Sequence, residues 1–194
     1  SWGYDFDHES IATQSFVDRV NHHWLSNYNV DGFRFDFTKG FTNTPGDGWA
    51  YDASRISILK RMADEIWQIN NEAYVILEHL ADNSEETVLS DYGMMLWGNL
   101  NFNYSQASMG YTDNNTSDFG WISYKNRGWN DPHVVGYMES HDEERMMYRN
   151  LNFGNASGSY DVTNIFTALD RIKLSATFFF TIPGPKMIWQ FGEL

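Results

Sequence analysis

Segments with a helical repeat of apolar residues alternate along this chain with short apolar runs of strand length, and no other feature constrains the fold as tightly. From about residue 10 to 28, Phe16, Val20, Trp24 and Tyr28 recur on one helical face. From about 52 to 70, Ile56, Leu59, Ala63, Ile66 and Ile69 do the same. Ile165, Leu169, Ile172, Ala176 and Phe179 predict a third helix, stopped by Pro183-Gly184-Pro185. Between them lie predicted strands at 32–37, 74–78, 93–97, 134–138 and 186–190. Strands separated by helices imply βα units and a parallel sheet, an α/β fold. The glycine-, asparagine- and serine-rich stretch 152–159 reads as a loop, not a linker between domains.

A doubly wound sheet and a closed barrel both satisfy this pattern. The first usually carries a glycine-rich phosphate loop after an early strand, and neither G-x-G-x-x-G nor G-x-x-x-x-G-K-[ST] occurs here. The barrel predicts functional residues at the C-terminal ends of several strands, which is where the charged residues fall.

The run Asp31-Gly32-Phe33-Arg34-Phe35-Asp36-Phe37-Thr38-Lys39 is the most informative. Period-2 alternation puts Phe33, Phe35 and Phe37 on one face and Arg34 with Asp36 on the other. A parallel strand covered on both faces should be apolar on both. An arginine and a carboxylate there are either a structural ion pair or a functional one, in which Arg34 keeps Asp36 ionised and oriented as a nucleophile. Glu78 ends the apolar run Tyr74-Val75-Ile76-Leu77. It reads as a solvated strand terminus, or as the partner of Asp36 one βα unit upstream, with desolvation to raise its pKa. A third cluster, Glu139-Ser140-His141-Asp142, follows Val134-Val135. His141 and Asp142 could ligate a metal, but no H-x-x-x-H or H-E-x-x-H supports that. Recognition of hydroxyl groups is the alternative.

Composition narrows the partners. A net charge of −13 argues against nucleic acid as a partner, since phosphate binding needs a basic face. No apolar run approaches the roughly 20 residues that cross a bilayer. With no cysteine, disulfides, thiol catalysis and cysteine zinc sites are excluded. Eight tryptophans and eleven tyrosines exceed what a core of 194 residues needs and suggest a stacking surface. The chain lacks a signal-peptide pattern and begins at Ser1, which reads as a processed, engineered or excised start.

Together these stretches resemble the α-amylase family of glycoside hydrolases. Gly32 to Lys39 resembles the family's strand-four signature G-F-R-x-D-x-x-K, Glu78 its strand-five acid/base, and Glu139-Ser140-His141-Asp142 its strand-seven E-N-H-D. Pro183-Gly184-Pro185-Lys186-Met187-Ile188-Trp189-Gln190-Phe191-Gly192-Glu193 resembles the last strand, and Asp5-Phe6-Asp7-His8-Glu9-Ser10 a D-L-N segment before helix three. The resemblance implies a (β/α)8 barrel and retaining hydrolysis of α-glucans. Asp36 would be the nucleophile, Glu78 the general acid/base and Asp142 the transition-state carboxylate. Arg34 would orient Asp36, His141 would hold hydroxyls, and Lys39, otherwise an ordinary surface lysine, would reach sugars on the leaving-group side.

Ser140 stands where the family usually has Asn, and Gly40 where a His often follows the lysine. The strand-three signature D-x-V-x-N-H has only an imitation, Asp18-Arg19-Val20-Asn21-His22, which is one residue short and falls in a predicted helix. No metal or cofactor is then expected for the chemistry, and a structural calcium would lack its usual ligands. On this alignment residues 1–194 are one domain, the C-terminal part of a catalytic barrel with about five of eight βα units, where a whole barrel needs about 250 residues. Five strands leave two edges unpaired, so self-association or docking of a further segment is expected. The family also contains transglycosylases, isomerases and branching enzymes, and an inert or carbohydrate-binding piece is a further alternative, as is a metal-dependent hydrolase on the same barrel. The resemblance favours an extracellular or periplasmic site.

Overall fold

The computed structural model describes residues 5–192, which group into two compact units meeting at Trp97 and Gly98. The first unit begins with α1 (Ile11–Tyr28), closed by Asn29 in a left-handed conformation. Strand β1 (Gly32–Phe35) follows, then a 3-10 turn at Thr38–Gly40 and helix α2 (Ala53–Ile69). The Asp52 carboxylate starts α2 by accepting from the backbone N–H of Ser54 and of Arg55. Strand β2 (Tyr74–Leu77), α3 (Asn83–Asp91) and β3 (Met95–Asn99) complete the pattern, with the end of β3 entering the second unit.

Strands β1, β2 and β3 pair in parallel, with Gly32 opposite Tyr74, Arg34 opposite Ile76, and Leu77 opposite Leu96. Gly32 is required there: a Cβ would sit 2.2 Å from the Tyr74 carbonyl oxygen, a backbone atom that cannot step aside. The core of this unit joins Val75 and Leu77 of β2 to Ile56, Leu59, Ala63 and Ile66 of α2, all buried as the helical spacing predicts. Each such side chain removed from water contributes roughly 1.5–3 kcal/mol.

Helix α1 lies where the sequence puts it, but not on the predicted face. Phe16, Val20, Trp24 and Tyr28 are exposed, whereas Asn21 and Leu25 are buried. The reason is local: α1 packs on α2, and Asp18 fixes its rotation by a bidentate bond to Arg61 (2.9 and 3.1 Å). That turns the Asp18–Asn21–Leu25 side inward.

The second unit holds α4 (Asn101–Met109), α5 (Tyr124–Arg127), β4 (Val134–Tyr137), α6 (Met146–Phe153) and α7 (Ile165–Thr181). Gly98, at the end of β3, makes room for β4, since a Cβ would come within 2.5 Å of Val134 Cγ1. Helices α4, α6 and α7 pack together around Ala168, Ser175 and Phe179. Polar ties set their rotation: Asn150 donates to Ser108 Oγ at 2.7 Å, and Arg171 donates to the carbonyls of Ser108 and Ala107. The predicted face of α7 is thereby rotated, and Ile165 and Leu169 are exposed.

The predicted strand at 186–190 is a correction. It forms only a single parallel bridge, Lys186 to Gly136, among the described residues. Pro185 can accept but not donate, and the chain turns at Gln190–Gly192 before a ladder develops. Glu193 lies outside the described residues. Asp18 to His22 lies within α1, as expected of a false strand signature. No helix among the described residues is long and apolar enough to cross a membrane.

Candidate active site

Parallel pairing brings the β1 and β2 charges together. In the register Arg34 lies opposite Ile76, so alternation places Arg34, Asp36, Ile76 and Glu78 on one face. One guanidinium then serves both carboxylates: Arg34 Nη1 is 2.5 Å from Asp36 Oδ1, and Nη2 is 2.8 Å from Glu78 Oε2. Trp97, from β3, lies 4.0 Å beneath the same guanidinium carbon.

The two acids differ in environment. The Asp36 side chain is 74% exposed, and that of Glu78 only 11%. Burial pushes the Glu78 pKa above its ordinary value. The backbone N–H of Phe37, donating to Oε2 at 3.1 Å, and the charge on Arg34 pull it down without cancelling the effect. Asp36 adds to the rise through its charge and by accepting a hydrogen bond from the protonated Glu78. Of the two carboxyl groups on this guanidinium, Glu78 is thus the one biased toward its protonated form.

The loop after β1 departs from the predicted alternation. Phe37 leaves the strand in a left-handed conformation (φ 45°), so it no longer shares a face with Phe33 and Phe35. The turn lets the N–H of Thr38 donate to the Glu78 carbonyl (2.9 Å). It also corrects the reading of Lys39 as a surface lysine, since that residue is only 9% exposed. The Lys39 ammonium sits 3.9 Å from the Trp49 ring centre and 5.2 Å from that of Phe37.

Beneath this loop is a buried polar network that the sequence reading missed. Glu85 accepts from Arg55 Nε (2.7 Å) and Nη2 (2.8 Å) and from the Asp52 N–H (2.7 Å), and pairs with His79 Nε2 at 2.8 Å. His79 Nδ1 faces Thr38 Oγ1 at 3.0 Å, and Arg55 Nη1 donates to the Lys39 carbonyl at 2.6 Å. Burial favours neutral Glu85, but the bonds from His79, Arg55 and Asp52 outweigh it and hold its pKa below the ordinary value. Burial depresses the pKa of His79, against the opposing pull of Glu85. A signal existed in Asp82-Asn83-Ser84-Glu85, the spacing of a capping box. Asp82 does cap α3 through Ser84, whereas Glu85 turns inward to Arg55.

The second unit carries the third predicted cluster. His141 Nε2 is 3.3 Å from Asp142 Oδ1, and both side chains are substantially exposed. The turn that presents them is fixed from behind. Ser140 N–H and Oγ–H donate to Glu143 Oε2 (2.9 and 2.5 Å), and Asn99 donates to Glu143 Oε1 (2.8 Å). Ser140 Oγ also accepts from the Asp142 N–H at 3.2 Å, so serine satisfies this turn where asparagine was expected. Glu139 points elsewhere, accepting from Arg145 (2.9 Å) and from the Met146 N–H (2.8 Å). Among the described residues, no group of three or more His, Asp or Glu side chains is placed to hold a metal ion.

No protein-family profile matches the chain. A 1,4-α-glucan branching enzyme from Picrophilus torridus is 26% identical to it, over 99% of this chain and 28% of that protein. Among solved structures, the α-amylase of Geobacillus thermoleovorans, determined with acarbose, superposes with a TM-score of 0.69 at 17% identity, over 97% of this chain and 38% of the other. An Anoxybacillus α-amylase gives 0.67 at 15% identity, over 97% and 37%. The α-amylase of H. orenii gives 0.65 at 15% identity, over 98% and 36%. The chain thus spans about two fifths or less of the length of each of these proteins. The fold is that of part of a (β/α)8 barrel, the fold of the α-amylases it superposes on.

Proposed function

We propose that this chain, read as the C-terminal part of one catalytic barrel, carries the machinery of a glycosidase that acts on α-glucans with retention of configuration. The observation that carries the reading is the Asp36–Arg34–Glu78 cluster, in which one guanidinium holds an exposed carboxylate beside a half-desolvated acid. Retaining enzymes use a carboxyl pair about 5–5.5 Å apart, whereas inverting ones space the pair to admit a water, and two carboxylates on one guanidinium favour the closer arrangement.

Asp36 Oδ attacks the anomeric carbon while Glu78 gives its proton to the glycosidic oxygen. The carbon–oxygen bond breaks, and a glycosyl ester on Asp36 remains. Water then attacks the same carbon, Glu78 takes its proton, and the ester breaks. Arg34 orients Asp36 and compensates its charge. Lys39 serves the leaving-group side, and the resemblance assigns stabilisation of the developing positive charge to Asp142 and the binding of hydroxyls to His141. None of these steps needs a cofactor.

The branching-enzyme relative supports a second reading of the same site, in which a glucan hydroxyl replaces water in the second step. The two readings are separated by incubating the protein with amylose and measuring new reducing ends against new α-1,6 branches. Asp36→Asn tests both: turnover should fall at least about 10³-fold, because the ester can no longer form. Equal rates in the variant and the parent would remove Asp36 from the mechanism.

A further inference from the structure

Among the described residues, three bulky apolar side chains stand on left-handed backbone: Phe37 (φ 45°), Leu80 (φ 51°) and Phe191 (φ 63°). Residues of this size avoid that conformation, and where it persists the surrounding contacts impose it. Two of the three flank a single contact. Phe37 precedes Thr38 in the loop after β1, Leu80 follows His79 in the loop after β2, and Thr38 Oγ1 meets His79 Nδ1 at 3.0 Å. Thr38 and His79 are both fully buried. Burial keeps His79 neutral, with one N–H, and ionised Glu85 claims it at Nε2 (2.8 Å), so Nδ1 accepts from the Thr38 hydroxyl. The two bonds from Arg55 to Glu85 anchor the far end of this chain of contacts in α2.

The anchoring reaches the general acid of the proposed mechanism. The Thr38 N–H donates to the Glu78 carbonyl at 2.9 Å, and the Thr38 hydroxyl oxygen lies 3.2 Å from the same carbonyl. One residue earlier, the turn at Phe37 brings its N–H onto the other end of Glu78, donating to Oε2 at 3.1 Å. Arg34 Nη2 lies 2.8 Å from that same oxygen. With two donors facing Oε2, negative charge is favoured there and a proton is favoured on Oε1. We propose that Thr38, locked by His79, positions the Glu78 carboxyl: it holds Phe37 in its strained turn, keeps the Phe37 N–H on Oε2, and so leaves Oε1 to give its proton to the leaving oxygen. This rests on the glycosidase reading above. Thr38 and His79 are positioning residues, since both are buried and act through Phe37.

Thr38→Val keeps the shape and removes the hydroxyl, whereas Thr38→Ser keeps the hydroxyl. The ¹³C shift of the Glu78 carboxyl is followed across pH, and turnover of maltotetraose is measured by reducing-end release. The charged groups facing Glu78, Arg34 and Asp36, are the same in every variant. In Thr38→Val the Glu78 titration should move upward by roughly one pH unit, because the ionised carboxylate loses a donor. Its kcat should fall about tenfold with KM within about twofold, the pattern of an interaction made in the transition state. Thr38→Ser should titrate with the parent and keep kcat within about threefold of it. An unmoved titration in Thr38→Val would overturn the proposal, as would a moved titration with unchanged kcat. Thr38→Ser behaving like Thr38→Val would also overturn it, because the hydroxyl would then be irrelevant. No turnover by the unsubstituted protein would overturn the glycosidase reading, while the titration would still decide whether Thr38 positions the carboxyl.

Discussion

Replacing Glu85 by alanine isolates what the buried network beneath the candidate site contributes. Glu85 is fully buried, and Arg55, its main partner, is 1% exposed. Truncation removes the acceptor for two guanidinium bonds, one backbone N–H and the His79 ring. Arg55 keeps its bonds to the Lys39 and Ala50 carbonyls but loses its counter-charge. Breaking a buried pair on one side costs about 3–5 kcal/mol, because the surviving charge stays desolvated. For a chain of this size each kcal/mol moves the melting temperature about 2–4 °C, so Glu85→Ala should lower it by roughly 6–20 °C.

Far-UV circular dichroism against temperature and against urea gives the measurement. The pH dependence supplies its sign. The folded pKa of Glu85 is depressed, so its stabilisation is present above the ordinary glutamate value and is lost as pH falls through the folded one. His79, also depressed, acts in the same direction, its share being lost as pH falls below about 6.5. Glu85→Ala should therefore lower the stability curve and flatten its acid limb below the ordinary glutamate pKa, while His79, no longer raised by Glu85, keeps its own loss at higher pH. A loss below about 1 kcal/mol with an unchanged acid limb would refute the idea that this network holds the loops.

Three further outcomes follow from the geometry. Asp36→Asn should lower the pKa of Glu78 by removing the neighbouring charge and its hydrogen bond, read from the ¹³C shift of the Glu78 carboxyl across pH; no shift, or a rise, would mean the two acids are not coupled. Glu78→Gln should reduce turnover of amylose by about 10²–10⁴-fold, with the loss mostly in kcat, as measured by reducing-end release. Gly32→Ala should destabilise by about 3 kcal/mol in urea, since its methyl meets the Tyr74 backbone, and a neutral result would show that the β1–β2 register can shift.

Much of this protein is legible in its sequence because the informative patterns are local. The runs that become β1, β2 and β4 are apolar and bounded by turn residues, and their predicted limits hold to within one or two residues. Helix α2 shows its buried face because that face is mostly aliphatic, although Ile69 at its end is exposed. Helices α3, α4 and α6 were not read because they are short and largely polar, as in Asn101–Met109, and the packing that stabilises them involves distant residues.

The sequence by itself determined the strand-and-helix alternation, the α/β class, and the placement of Asp36 and Glu78 at the ends of successive strands. Periodicity and strand alternation are properties of neighbouring residues, so they survive without a fold. Tertiary structure alone decided which faces α1 and α7 bury, because Asp18–Arg61 and Arg171–Ser108 join residues far apart in the chain. It also decided that Arg34 would serve two carboxylates, that Lys39 would leave the surface for the rings of Phe37 and Trp49, and that Glu85 would turn from a helix start to Arg55. In each case a charge taken out of water must find its partner across the fold, and spacing along the chain does not encode that partner.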